Sequence, residues 1–264
     1  MNMARGKRTF TLPTVSAAGL KRFAFANMLI WLAGLFIFEK GILHGSEYSL
    51  KELQEMMSSD AALARTIILA IALQMIGGIA FPVYAYLTVM SFEKTKSVTD
   101  YLGKIAMTAI LTEAFWDYAM EGSFFSLETQ NPLFTVILSV VCLIIMKYID
   151  EKVKDGRIFY KLGVMLVSIL WAMLLRTYGG TTFILLVSVF YLLKDKNGLK
   201  CFLGMMITIA GPFLGHGSFL GVVSFYGIYC FNGKEREMKE HPAFYYIATA
   251  LAVVVLGLIA RLAF

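Results

Sequence analysis

Charge is scarce in this chain: 16% of its 264 residues are Asp, Glu, Lys or Arg, against 58% hydrophobic. With a mean hydropathy of +0.70, that balance excludes a soluble globular domain, because the apolar surface exceeds what one aqueous core of this length can bury. Cysteine is nearly absent. Cys142, Cys201 and Cys230 have neither CxxC spacing nor histidine neighbours, so neither a disulfide framework nor a metal site is expected. The chain has no GxGxxG or P-loop pattern, no internal repeat and no low-complexity tract. The apolar runs also lack period-2 alternation, which excludes a transmembrane barrel and leaves helices as the way to satisfy the backbone in lipid.

What remains is an all-α polytopic transmembrane bundle. Apolar runs bounded by charge predict about nine spans within a range of eight to ten, roughly 20–38, 62–92, 101–119, 131–147, 158–175, 179–193, 201–215, 217–231 and 243–263. Residues 1–19 form a basic N-terminal segment and 20–264 a single transmembrane domain with an outer loop at 41–60. No short apolar stretch with a small-residue cleavage site follows the basic start, so a removable signal peptide is not expected.

Nineteen of the 24 basic residues fall in alternate connections, which predicts a cytoplasmic N-terminus and an external C-terminus. The exceptions are Lys40, Lys51, Arg65, Arg176 and Arg261. The net charge of +6 therefore reflects topology and does not point to nucleic acid as a partner. In the outer loop, Ser49 and Glu52 have capping-box spacing ahead of Leu50, Leu53 and Met57, which predicts a short helix on the membrane surface.

Polar side chains inside spans are costly in hydrocarbon, so they mark candidate function. The second span carries Gln74 and then IGGIAFPVYAYL, whose paired glycines allow close helix approach and whose Pro82 frees a carbonyl and bends the helix. Glu113 and Asp117 lie one helical turn apart in the third span, a pair suited to acid/base chemistry or to pairing with Arg176. Gln130 and Asn131 precede Pro132 at the start of the fourth span, and Arg176 and Tyr178 lie in the LLRTYGG turn. All these groups are expected in the outer half of the bundle.

Leu20 with Lys21, IGGIAFPVYAYL, TEAFWD (112–117), QNPLFT (130–135), the YGG turn and FNGK (231–234) occur in an order that resembles the TraX family, over about residues 20–260. The resemblance implies an integral protein of a bacterial plasma membrane, related to transmembrane acyltransferases that N-acetylate a peptide amine from acetyl-CoA supplied by the cytoplasm. It also exposes losses. The family's Asp-His pair in the first span corresponds to Trp31 and Leu32, its arginine in the glycine motif to Gly78, and its acidic residue before the tyrosine-glycine turn to Thr177. Near Ala248 a further family histidine is missing.

Loss of a general base commonly costs a factor on the order of 10² to 10⁴ in rate. Glu113 ranks first as a substitute base, with Asp117 beside it, ahead of His44 and His216. Gln130, Asn131, Arg176, Tyr178 and His216 are the expected substrate contacts. The clusters Lys94 with Lys96, and Lys234 with Arg236, are candidates for holding CoA phosphates, although the positive-inside rule alone accounts for basic residues there. A non-catalytic descendant that binds a peptide, a lipid or a partner membrane protein is the alternative, and a transporter with a carboxylate-lined site is the third. A ring of Trp31 filling the place of the missing histidine is the feature expected of an inactive site.

Overall fold

The computed structural model describes residues 13–45, 48–231, 241 and 243–264. Among the described residues it is built from helices, with only two isolated bridges of extended backbone. Helix α1 (Ala17–Leu32) is capped by Ser16 and runs directly into a π-helical stretch, Ala33–Ile42. Next come α2 (Leu50–Ser59), α3 (Ala61–Gly77), α4 (Ala80–Lys94), α5 (Val98–Glu121), α6 (Pro132–Lys152), α7 (Arg157–Leu174), α8 (Gly180–Leu192), α9 (Asn197–Ala210), α10 (Ser224–Tyr229) and α11 (Phe244–Ala263).

Among the described residues six helical stretches, 17–42, 61–94, 132–152, 157–174, 197–214 and 244–263, are long and apolar enough to cross a membrane, against the nine crossings expected. The shortfall has a physical source. Helix α8 has 13 residues, too few for a hydrocarbon core that needs about 20. The 219–229 stretch is shorter still, and α5 carries Asp100, Lys104, Glu113, Asp117 and Glu121.

Helix α4 is the core of the bundle, since every residue from Pro82 to Phe92 is buried. At the other extreme α7 buries only Ser168 and Ala172, and Leu166, Leu170 and Leu174 face outwards as a lipid-facing helix requires. Helices α3 and α4 form one bent unit. Lacking an N–H, Pro82 cannot bond the Gly78 carbonyl, which instead accepts the Phe81 N–H at 3.2 Å; the bend expected from Pro82 thus falls at Gly78 and Ile79. The two glycines there are required by packing. A Cβ on Gly77 would overlap the backbone nitrogen and Cβ of Trp31, and one on Gly78 would come within 2.5 Å of the Ser218 Cβ.

The expected surface helix is α2. Glu52 accepts the Ser49 N–H at 2.7 Å while Ser49 Oγ accepts the Glu52 N–H at 3.3 Å, and Leu53 and Met57 pack on Leu43, Ile67 and Ala70. Helix α11 packs along α5, with Gly257 against Ala119. Arg261 donates to the carbonyls of Tyr118, Ala119 and Met120, which satisfies the open C-terminus of α5 and complements its dipole.

Candidate functional site

Six of the expected site residues meet where α5 ends, α6 begins and the turn after α7 passes between them. Asn131 caps α6: its side-chain oxygen accepts the Leu133 N–H at 2.9 Å, and its amide donates to Thr112 Oγ1 at 2.9 Å. The Asn131 backbone N–H donates to Glu113, 3.2 Å from Oε2. Asp117 accepts the Ser126 N–H at 2.8 Å. Gln130 exchanges backbone hydrogen bonds with the turn, its N–H reaching the Arg176 carbonyl and its carbonyl accepting the Tyr178 N–H, both at 3.1 Å. Arg176 itself extends outwards to Glu128, 2.8 Å away, with both side chains largely exposed.

The carboxylates of Glu113 and Asp117 therefore hold the 122–131 connection by its backbone N–H groups. They receive hydrogen bonds from a loop, and neither lines one of the cavities described here. Asp117 is 2% exposed, and its Oδ1 has no hydrogen-bond partner among the described residues.

A separate cavity of about 300 Å³ opens at the same end of the bundle, lined by Trp31, Glu39, Gln74, Gly78, Phe81, Tyr178 and His216 among others. Trp31 is 5% exposed. Its ring packs edge-on against Phe81 and Tyr178, with centroids 5.4 and 5.2 Å apart, and Tyr178 meets the His216 ring at 4.3 Å. His216 is presented by the loop between α9 and α10, where its backbone carbonyl accepts the Thr182 hydroxyl and the neighbouring Ser218 donates to the Met75 carbonyl. Burial holds the His216 imidazole below its ordinary pKa. Gln74 Nε2 donates to Glu39 Oε2 at 2.7 Å.

Phe81 and Tyr178 also roof a second void of about 50 Å³, whose floor includes Tyr84, Tyr246 and Thr249. A ladder of buried hydroxyls continues from it: Tyr84 with Thr249 at 2.9 Å and Thr88 with Tyr246 at 2.7 Å. His44 lies outside the cavity, with a left-handed φ of 47°.

At the opposite end Lys94 and Lys96 are exposed, while Lys234 and Arg236 lie outside the described residues. The cleft at that end, about 580 Å³, is formed by other groups, including Lys147, Arg157, Lys161 and Lys194. Much of this charge is already matched. Lys161 pairs with Asp150, and Lys194 with Glu93 at 2.9 Å, a hydrogen bond that raises the Lys194 pKa; both lysines also sit 5.4 Å from the Tyr191 ring centroid.

The fold and its polar interior define an all-helical membrane protein with a cavity at one end of the bundle and a charged cleft at the other. More particularly, the chain belongs to the TraX family, whose model, described as TraX protein, matches residues 16–260. No curated protein and no solved structure matches it.

Two of the expected site residues, Tyr178 and His216, line the 300 Å³ cavity together with Trp31 and Gly78, the positions where the resemblance marks lost family side chains. Glu39 is the lining residue that sequence reasoning missed. Its signal was a carboxylate closing the apolar run FIFEKG, a place that reads as the edge of the first span.

Proposed function

We propose that this TraX-family chain uses a transmembrane acyltransferase scaffold as a binding module, with the cavity around Trp31 and Tyr178 as its ligand pocket. The position of the Trp31 ring carries this reading. It is wedged between Phe81 and Tyr178 at the place of the family's Asp-His pair, where an indole supplies neither a base nor its carboxylate partner. Gly78 brings no charge to the cavity, and the Thr177 hydroxyl is occupied with the Ala172 carbonyl. Glu113 and Asp117 serve the backbone of a loop, which supports a structural use of the pair first expected to be catalytic. The distribution of lysine and arginine supports a cytoplasmic Lys94 end and, with it, a pocket that faces the outside.

The test is thermal unfolding of the purified chain in detergent with millimolar acetyl-CoA. A co-substrate bound at 100 times its Kd stabilises by about 2.7 kcal/mol. The expected result is an unmoved transition; a saturable rise of several degrees overturns the reading.

Retained acyl transfer is the second reading, favoured by the presence of His216 and Glu39 on one cavity. In that case a neutral His216 takes the proton of an amine acceptor as it attacks the thioester carbonyl of acetyl-CoA; the amide bond forms, the carbon–sulfur bond breaks, and the proton passes to the departing CoA thiolate. His216→Ala would then abolish acetylation of an amine in proteoliposomes supplied with acetyl-CoA, while the variant still unfolds at the wild-type temperature.

A further inference from the structure

We propose that the cavity at the Trp31 end binds an organic ammonium group, methylated in preference to primary, with Glu39 as its counter-charge. The proposal rests on the reading of this cavity as a ligand pocket and adds the ligand's chemistry.

Charge comes first. Among the described residues that line the cavity, Glu39 is the one carboxylate and there is no lysine or arginine. Among the described residues no ion pair neutralises it; its partner is the uncharged Gln74 amide, which fixes Oε2. A half-buried carboxylate held this way offers a cation its counter-charge, because a charge brought into a partly apolar cavity is costly unless paired. His216 does not fill that need, since burial favours its neutral form. Glu39 also projects from the π-helical stretch Ala33–Ile42, a departure from α-helical winding that is frequent at functional sites.

The walls then select among cations. One carboxylate is too few oxygen ligands for a calcium ion, and the inner wall is aromatic: Trp31, Phe81 and Tyr178. A primary ammonium brings three donors that need acceptors, whereas a methylated one buries its methyl groups against rings that also attract its charge. The volume of about 300 Å³ lies at the small end of ligand pockets and accommodates a headgroup-sized cation.

Such a group reaches the pocket either as a soluble ion or as a lipid headgroup, and one assay separates the two. The full chain is titrated with tetramethylammonium chloride, with sodium chloride at equal ionic strength as control, and its unfolding temperature is followed. The wild type is expected to show a saturable rise that sodium does not produce. In Glu39→Gln the apparent affinity is expected to fall at least about tenfold. Trp31→Leu, which keeps the carboxylate, is expected to weaken binding by about tenfold, the scale of one desolvated cation–π contact.

If the natural ligand is a headgroup, the response is smaller in phosphatidylcholine nanodiscs than in phosphatidylglycerol ones; a soluble ligand gives equal responses. No saturable rise in the wild type, or the same rise in Glu39→Gln, overturns the proposal. Should Glu39→Gln fail to fold, an undiminished affinity in Trp31→Leu does so. Protection by acetyl-CoA in the same apparatus would instead overturn the binding-module reading and leave the ammonium result standing.

Discussion

Replacing Asn131 by alanine tests whether the polar cluster at the end of α5 is a structural clamp. The side chain is 2% exposed and makes two hydrogen bonds, one capping α6 and one crossing to Thr112 on α5. Loss of an N-cap side chain typically costs about 1 kcal/mol. A hydrogen bond between membrane helices averages about 0.6 kcal/mol and reaches about 1.7. The Thr112 hydroxyl keeps its donor bond to the Thr108 carbonyl, so little further is lost there, whereas the Leu133 N–H is left without its acceptor at a buried position. The expected destabilisation is therefore about 1.5–3 kcal/mol, read from unfolding in mixed detergent micelles. A double-mutant cycle with Thr112→Val isolates the interhelical part, expected near 0.6 kcal/mol. A loss below about 0.5 kcal/mol for Asn131→Ala would refute the clamp, because neither the cap nor the cross-link would then be contributing.

Two further outcomes follow from local geometry. Gly77→Ala forces a Cβ into the Trp31 backbone, whereas a Cβ at Gly103 meets nothing within 4 Å; the first variant is expected to lose the folded fraction in detergent-extracted membranes. Gly103→Ala is expected to gain up to about 1 kcal/mol from helix propensity. The Ser49 hydrogen bonds lower the Glu52 pKa from its ordinary 4.5, so the stabilisation of α2 is present above that pH and lost as pH falls through the lowered value. Protection factors of the first-turn amides of α2, with the intrinsic pH dependence of exchange divided out, should therefore fall below about pH 4.5 in wild type and show no such step in Glu52→Gln.

Much of the helical framework is readable in the sequence because lipid leaves few choices. A long apolar run with charged ends has to be a helix, Ser49 and Glu52 announce the start of α2, and the glycine pair at 77 and 78 announces close packing. Helices α5 and α8 show where this reading weakens: one holds too much charge and the other is too short to meet a simple crossing criterion.

The candidate site was legible only in part. Asn131 stands directly before Pro132, the place of a helix cap, and its side chain both caps α6 and crosses to Thr112 on α5. The use of Glu113 and Asp117 was not legible, because helical spacing places two carboxylates on one face without saying whether backbone N–H groups of a neighbouring loop will occupy them. Glu39 escaped notice because hydropathy treats a carboxylate at the end of an apolar run as a boundary marker. Only the three-dimensional approach of α3 and the His216 loop turns that boundary into a cavity wall.

The crossing of α1 and α3 at Gly77 leaves one position free in its chemistry. Gly77 meets position 31 at its N, Cα and Cβ atoms, which every residue except glycine possesses. What stands beyond the Cβ at position 31 is thus uncoupled from the angle and separation of the two helices. Position 31 can therefore carry side chains of quite different chemistry on one and the same helix crossing.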